Sequence, residues 1–270
     1  MPVLNRGVDR RLLGRLPAFS PIAVRLLAVL TDERTAFKEV ARLITLDPVL
    51  SGEVLRLANS GLYGRRFEVR SVLQATAMLG TGILGQIAVT AALWRGLPRR
   101  TAPFVRDWWR HSIAAALVAR DTCKDTAPDL AYTAALLHGV GQLALFEDSP
   151  NDYVKLMDRV YAEALDLAAC ENDVYGVDHS SLGGLLMESW GLPEALVVPV
   201  VDHHDSTPAN RLAFAVQTGC AGAEYAGFGR CGSHAHSGAI SLVPLAELLA
   251  GDDLLGTLAD KVNQIECSLG

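Results

Sequence analysis

Five of the seven histidines lie within or beside apolar stretches that have helical spacing. These residues are His111, His138, His179, His203 and His204. Neutral imidazole is a good ligand for transition metals, and histidines that point inward from packed helices can converge on one metal-sized space. A lone histidine of this kind is more often a hydrogen-bonded core residue, but five on four helices are harder to explain in that way. Composition alone does not decide between separate core histidines and a shared pocket; a shared pocket could hold a transition metal (Zn, Ni or Fe), and we expect no other cofactor.

Three further patterns carry weaker signals. The GxGxxG pattern occurs at Gly80–Gly85 and at Gly227–Gly232, but neither copy follows a predicted strand, as dinucleotide binding requires. Cys231, His234 and His236 have a C-x-x-H-x-H spacing inside a glycine-rich segment, which we interpret as a loop with no fixed ligand geometry. The five cysteines are scattered and form no CxxC pair, so the sequence predicts neither a disulfide framework nor a cysteine zinc site.

Charge is distributed unevenly along the 270 residues. Residues 1–100 contain 15 Lys and Arg against 7 Asp and Glu, whereas residues 101–270 contain 9 against 23. The net charge of -6 argues against a general nucleic-acid binder, which needs a basic surface. Arg65, Arg66 and Arg70 could form a docking surface for an acidic partner, and an ordinary solvated face is the alternative.

The hydropathy pattern favours a protein without a membrane span. The N-terminus has no unbroken apolar stretch of the kind found in secretory signals. The longest apolar stretch, Ile83 to Trp94, is interrupted by Gly85 and Gln86 and is shorter than the roughly 20 residues that span a bilayer. We therefore expect a cytoplasmic protein in a reducing compartment.

The periodicity of apolar residues is helical along nearly the whole chain, so the predicted fold class is all-α. Asp47-Pro48 has the pattern of a helix start, Ser71 can cap another helix, and Gly80 should end it. Gly96-Leu97-Pro98 breaks the pattern where the charge changes sign and marks a candidate subdomain boundary. In the second half, helices are expected around 104–122, 130–146, 151–169, 179–190, 193–204, 208–226 and 252–267.

Several segments resemble the HDOD domain, a bacterial signalling relative of the HD and HD-GYP domains. The segment LLHGVGQLAL resembles the LLHDIGKLAL segment of HD phosphohydrolases, and the other matching segments keep the family order over roughly 200 residues. They are Leu16-Pro17-Ala18-Phe19-Ser20-Pro21, Ile44–Leu50, Leu55-Arg56-Leu57-Ala58-Asn59-Ser60, Met78-Leu79-Gly80, Trp109-Arg110-His111-Ser112, Tyr175–His179, Trp190-Gly191-Leu192-Pro193 and His203-His204.

The resemblance implies an architecture and a pocket. It divides an HDOD domain over 9–211 into an N-terminal helical bundle, 9–98, packed on an HD-like bundle, 103–211. Residues 212–270 would form C-terminal helices that pack on the HD-like part. The five histidines would be the remnant of the HD metal site. Because adjacent helical residues project about 100° apart, His203 and His204 cannot point the same way, and the family pattern favours His204 as the one facing the pocket.

The departures from the HD pattern bear on catalysis. The histidine-aspartate doublet, whose carboxylate helps to hold and ionise the attacking water, is His138-Gly139 here. No carboxylate occurs at Thr218–Ala221, where the later aspartate ligand is expected, and Asp178 and Asp202 are the only nearby substitutes. We therefore expect a non-catalytic signalling module that binds signalling proteins or a small ligand and is linked to cyclic di-nucleotide signalling. A metal-dependent phosphohydrolase with a rearranged histidine-rich site is the alternative.

Overall fold

The structure is a computed structural model that describes residues 10–16, 21–30, 37–63, 68–98, 100–205, 210–228 and 254–269. Every regular element in these ranges is helical, as the periodicity predicts. The candidate ligands Cys231, His234 and His236 lie outside the described residues, as do Arg65 and Arg66.

The α-helices are α1 (Arg10–Leu13), α2 (Pro21–Leu30), α3 (Phe37–Thr45), α4 (Pro48–Ala58), α5 (Val72–Gly96), α6 (Pro103–Thr122), α7 (Pro128–Leu137), α8 (Val140–Asp148), α9 (Pro150–Glu163), α10 (Leu167–Tyr175), α11 (His179–Ser189), α12 (Glu194–Val201), α13 (Arg211–Tyr225) and α14 (Leu254–Leu269).

The first bundle is organised by the local signals in its sequence. The Asp47 carboxylate accepts hydrogen bonds from two backbone N–H groups at the start of α4, and the Ser71 hydroxyl accepts one at the start of α5. The Asn59 side chain bonds both the N–H and the C=O of Val69, each at 2.8 Å, and so closes the loop between α4 and α5. Gly80 has φ 81° and ψ 168°, which interrupts α5 where the sequence predicts a helix end.

The second half contains more helix breaks than periodicity predicts. The expected helix 130–146 is two helices, α7 and α8, separated at His138-Gly139. The expected helix 151–169 ends earlier, because Ala164 adopts a left-handed conformation (φ 50°), and α10 begins after it. The expected helix 193–204 is α12 followed by a short 3-10 turn, Asp202–His204. Two of the three breaks, at His138-Gly139 and at Asp202–His204, lie at histidines of the predicted pocket.

The two helical bundles meet along α5, α6 and α7. The Trp94 and Trp109 rings lie 5.1 Å apart across this seam, and the Thr90 hydroxyl hydrogen-bonds the buried Tyr132 hydroxyl at 2.8 Å. Near one end of the seam, the Gln86 amide donates to the Asp129 carboxylate at 2.7 Å. The seam is therefore mainly apolar with a few polar pairs. The domain boundaries themselves stay a prediction.

Helix α14 and the long apolar helix α5 each pack against several other helices. Helix α14 contacts both α4 and α6, and Glu266 on it forms an ion pair with Arg110 on α6. Helix α5 is the one described helix long and apolar enough to cross a membrane, but 61% of its most apolar stretch is buried inside the protein. Its contacts with α2, α3, α4 and α7 identify it as a core helix.

Candidate metal centre

All five histidines lie in one cluster, although they come from four separate places in the chain. His111 lies within α6, His138 directly follows α7, His179 begins α11, and His203 and His204 end the 3-10 turn. Ring centroids are 5.3 Å apart for His111–His138, 5.2 Å for His138–His203, 5.6 Å for His179–His203, 4.8 Å for His179–His204 and 3.9 Å for His203–His204. Four of the rings are buried, and His204 is partly exposed.

His203 is the more central of the two adjacent histidines. Its ring is 1% exposed and neighbours the rings of His138, His179 and His204. His204 lies at the edge of the cluster, where its Nε2 hydrogen-bonds Nε2 of His179 at 2.8 Å. The expectation that His204 faces the pocket more directly is therefore wrong. The 3-10 turn, rather than a continued α-helix, turns the His203 ring inward.

Three of the rings are oriented by backbone carbonyl groups. The Nδ1 atoms of these rings lie close to carbonyl oxygens: His111 to Phe228 (3.0 Å), His138 to Ala135 (2.6 Å) and His203 to Val200 (2.6 Å). A carbonyl oxygen can only accept, so each Nδ1 carries the hydrogen and each Nε2 presents a lone pair. Such outer contacts are typical of metal-ligating histidines.

The Nε2 lone pairs face one another inside the cluster. Nε2 of His111 lies 3.3 Å from Nε2 of His138, and in the tautomers set by the carbonyls neither nitrogen has a hydrogen to donate. Nε2 of His203 is buried and has no hydrogen-bond partner. A buried acceptor without a donor is unfavourable, and a bound cation would remove that cost at Nε2 of His203. At Nε2 of His111 the Cys220 thiol is close enough to donate.

Burial keeps most of the cluster neutral. Burial lowers the pKa of His111, and it lowers the pKa values of His138 and His203 well below the ordinary value, with neighbouring imidazoles acting in the same direction. His179 differs, because the charge and hydrogen bond of Glu171 outweigh burial and raise its pKa. Neutral imidazole is the form that binds metal ions.

Glu171 is a functional residue that the sequence analysis missed. Its carboxylate is fully buried and accepts hydrogen bonds from the backbone N–H and from Nδ1 of His179, at 2.8 and 2.6 Å. The Tyr153 hydroxyl donates to the other carboxylate oxygen at 2.5 Å. A carboxylate behind a histidine orients the ring and raises its basicity. The eight-residue separation of Glu171 from His179 gives no local signal, because helix α10 itself was not predicted.

Asp178 and Asp202 do not take the place of the missing carboxylates. Asp178 caps α11, where the Ser180 hydroxyl and the N–H and hydroxyl of Ser181 donate to it. Burial opposes its ionisation, but these hydrogen bonds outweigh burial and lower its pKa to about 2. Asp202 is not among the residues whose ligand atoms lie close enough to share an ion in the described part of the chain.

Cys220 lies in the cluster, although the scattered spacing of the cysteines predicts no cysteine zinc site. Its sulfur lies 3.5 Å from Nε2 of His111, at the place on α13 where the HD pattern has an aspartate. The ligand atoms form two groups, each within 4.8 Å: His111, His138 and Cys220, and His179, His203 and His204. Both groups fit a soft or borderline transition metal, and neither offers the oxygen ligands that Mg²⁺ and Mn²⁺ prefer.

The space for an HD carboxylate at position 139 is filled by a tryptophan. A Cβ atom on Gly139 would lie 2.4 Å from Nε1 of Trp108, closer than real Cβ contacts come. That indole N–H donates to the Gly139 carbonyl at 2.8 Å, and the Trp108 side chain is buried. Trp108 therefore fills the space of the missing side chain without supplying its chemistry, because an indole N–H only donates and a carboxylate accepts and binds metal ions.

Trp108 also forms part of a surface pocket beside the cluster. The pocket has a volume of about 430 Å³ and lies between α6, α8 and α9. Its walls include the apolar side chains of Phe104, Phe146 and Met157. Two exposed acidic residues, Asp107 and Asp158, also line the pocket. A ligand held in this pocket would contact the same indole that bonds Gly139.

The basic side chains of the first bundle are partly engaged within the chain. Arg70 is exposed and pairs with Glu68 at 2.9 Å. Arg95 pairs with Asp47 at 2.8 Å, and the Arg100 guanidinium lies 5.4 Å from the centre of the Trp94 ring. Arg70 is thus the one member of the predicted docking surface that the structure describes.

The fold and the cluster together define an all-helical domain of the HD type that lacks the doublet carboxylate. The family model of the HDOD domain matches residues 16–206. The chain therefore belongs to the HDOD domain family.

Solved structures with the same fold cover nearly the whole chain. An HDOD domain protein of unknown function from Geobacter sulfurreducens is 25% identical, with a TM-score of 0.69, over 97% of this chain and 93% of its own. A Shewanella amazonensis SB2B protein, named provisionally as a phosphohydrolase, is 24% identical (TM-score 0.70; 98% and 99% covered). A Marinobacter aquaeolei VT8 protein, named provisionally as a signal transduction protein, is 21% identical (TM-score 0.75; 98% and 62% covered).

An uncharacterized protein of Treponema pallidum (strain Nichols) is 22% identical over 171 residues, which are 62% of this chain and 33% of that relative.

Proposed function

We propose that this chain is a non-catalytic HDOD signalling module that acts by binding a protein partner or a small ligand in the cytoplasm. The observation that carries the proposal is the pair Gly139 and Trp108. A doublet carboxylate positions and ionises a metal-bound water in HD-type hydrolysis, and here the indole of Trp108 occupies its space. A phosphate ester would therefore meet a site without the group that generates the nucleophile.

The binding role has two candidate locations. A small ligand would bind in the pocket beside Trp108, whose apolar walls suit an aromatic or aliphatic body. An acidic protein partner would contact the surface that includes Arg65, Arg66 and Arg70. A role in cyclic di-nucleotide signalling belongs to this proposal, since HDOD domains resemble the domains that degrade those messengers.

A metal-dependent phosphohydrolase with a rearranged site is the second candidate. The provisional phosphohydrolase name of the Shewanella amazonensis relative and the convergence of five histidines favour it. The buried carboxylate of Glu171 is committed to Tyr153 and His179, so it is poorly placed to activate water. This candidate therefore needs a nucleophile that the described side chains do not provide.

Turnover assays separate the two candidates. Chelator-treated protein is loaded with Mg²⁺, Mn²⁺, Fe²⁺, Ni²⁺ or Zn²⁺ and incubated with cyclic di-GMP and with nucleotide mono-, di- and triphosphates. We expect no hydrolysis above that of a matched His138→Ala variant. Metal-dependent hydrolysis by the wild type that His138→Ala abolishes would overturn the non-catalytic proposal and support the phosphohydrolase.

A further inference from the structure

We propose that Cys220, His111 and His138 form a three-donor site for a thiophilic metal ion, of which Zn²⁺ is the divalent example. The inference goes beyond the proposed function and does not depend on it, because a metal site of this kind can be structural or regulatory. It assigns the cysteine a ligand role that the spacing of the cysteines does not indicate, and it replaces the oxygen ligand of the HD pattern at this place on α13 by sulfur.

The separations of the ligand atoms match a tetrahedral zinc ion. Zinc binds imidazole nitrogen at about 2.0–2.1 Å and thiolate sulfur at about 2.3 Å. At tetrahedral angles these bond lengths place two nitrogens about 3.3 Å apart, and a nitrogen and a sulfur about 3.6 Å apart. The structure has 3.3 Å between the Nε2 atoms of His111 and His138, and 3.5 Å between Nε2 of His111 and the Cys220 sulfur. Two of the three separations thus match those of a tetrahedral zinc ion, and the ligand atoms of all three residues lie within 4.8 Å of one another.

Close packing of α13 against α6 brings the sulfur to this position. A Cβ on Gly219 would lie 2.4 Å from the Ala115 carbonyl oxygen, and one on Gly222 would lie 2.9 Å from a Val118 methyl group. The two glycines therefore let the helix backbones approach at the turn that carries Cys220. A larger residue at either position would push the sulfur away from His111.

The two rings are held in the ligating tautomer. The Phe228 and Ala135 carbonyls accept from Nδ1 of His111 and His138, so both Nε2 lone pairs face the site. Without an ion, these two nitrogens oppose each other, and the Cys220 thiol, a weak donor, lies 3.5 Å from Nε2 of His111. One cation bound by both nitrogens and the sulfur accounts for this arrangement.

The other histidine group is a weaker candidate for the same ion. Nε2 of His179 and Nε2 of His204 are only 2.8 Å apart, shorter than the roughly 3.3 Å between two nitrogen ligands of zinc. A hydrogen bond between the rings explains that distance, and Glu171 stabilises the positive charge that His179 carries when it donates from both nitrogens. The two groups therefore have different roles.

Cobalt is the probe, because Co²⁺ occupies zinc sites and gives an ultraviolet thiolate-to-metal charge-transfer band when sulfur is a ligand. Protein made without an affinity tag is stripped with a chelator under reducing conditions and titrated with Co²⁺ and then with Zn²⁺. We expect about one Co²⁺ per chain, a charge-transfer band, and loss of the band when Zn²⁺ displaces cobalt.

Matched cysteine variants assign the sulfur. Cys220→Ser should abolish the band and weaken Zn²⁺ binding at least 10-fold, whereas Cys123→Ser, at another buried cysteine, should leave both unchanged. His204→Gln should keep the band, since that residue belongs to the other group. If Cys220→Ser does not fold, Cys220→Ala and His111→Asn provide the same comparison, with circular dichroism to verify the helix content.

The cobalt titration tests the metal site independently of the turnover assay. Absence of the band from the wild type, or its persistence in folded Cys220→Ser, would overturn the site. Hydrolysis by the loaded protein would overturn only the non-catalytic proposal and would leave the metal assignment intact.

Discussion

Adding one methyl group at position 139 tests whether Trp108 occupies the place of the lost carboxylate. Gly139 has φ -93° and ψ 11°, a conformation open to any residue, so Gly139→Ala introduces no backbone strain. The new Cβ would lie 2.4 Å from the indole nitrogen, so the buried indole would have to shift against its packed neighbours or into the pocket that it lines. The effect of the substitution is therefore steric.

The expected loss of stability follows from two contributions. Overpacking a well-packed core by one methyl group costs about 1–3 kcal/mol. Displacing the indole also stretches the 2.8 Å hydrogen bond from Trp108 to the Gly139 carbonyl, which contributes about 1 kcal/mol. Gly139→Ala should therefore lower the free energy of unfolding by about 2–4 kcal/mol, and Gly139→Asp by more, because it also buries a carboxylate.

Urea denaturation followed by circular dichroism measures the change. Gly52→Ala is the matched control, since Gly52 lies exposed within α4 and its Cβ would meet nothing within 4 Å. The control should be stabilised by about 0.5–1 kcal/mol. In the double variant Gly139→Ala/Trp108→Leu, the loss should be smaller than the sum of the single losses, because leucine removes the clashing indole.

Two results would refute this reasoning. One is a Gly139→Ala variant as stable as the wild type, and the other is a double variant whose loss of stability is additive. Either would mean that the space beside Gly139 is open. The absence of the doublet carboxylate would then be a chemical difference only, and Gly139→Asp could restore a ligand.

Three further predictions concern buried polar groups. In metal-free protein, Glu171→Ala should lower the free energy of unfolding by about 3–5 kcal/mol because it leaves the donors of His179 unpaired. Glu171→Gln should lower it by less. The difference in stability between Glu171→Gln and the wild type should be largest below pH 6.5 and should shrink as the pH rises through the raised pKa of His179. Folding lowers the pKa of Asp178 from 3.8 to about 2, so its carboxylate stabilises the fold at neutral pH. Asp178→Asn should therefore lower the free energy of unfolding by about 1–2 kcal/mol at pH 7, after allowance for partial exposure. This loss should disappear as the pH falls from about 4 to 2. Tyr132→Phe removes the buried hydrogen bond to Thr90 across the seam and should cost about 1 kcal/mol. Urea titrations at several pH values measure all three, and pH-independent losses at Glu171 and Asp178 would contradict the electrostatic explanation.

Much of the fold was predictable because its determinants are local. Apolar residues at helical spacing, the caps at Asp47 and Ser71 and the break at Gly80 act within one or two turns of helix, so the sequence displays them directly. The five pocket histidines were also recognisable, because a polar ring within an apolar helix face is conspicuous. The missing carboxylate at Gly139 could be seen because LLHGVGQLAL resembles the HD segment, whose doublet has an aspartate at this place.

Only the tertiary structure decided how the site is divided and what fills it. Cys220 joins His111 because glycine lets α13 approach α6, and that contact joins residues 109 positions apart. Glu171 reaches His179 because the chain turns at Ala164 and again before α11, which periodicity does not indicate. Hydrophobic spacing specifies which face of a helix is buried, but the distance between two helices depends on the residues of both. Packing between helices therefore decided which donor atoms lie close together.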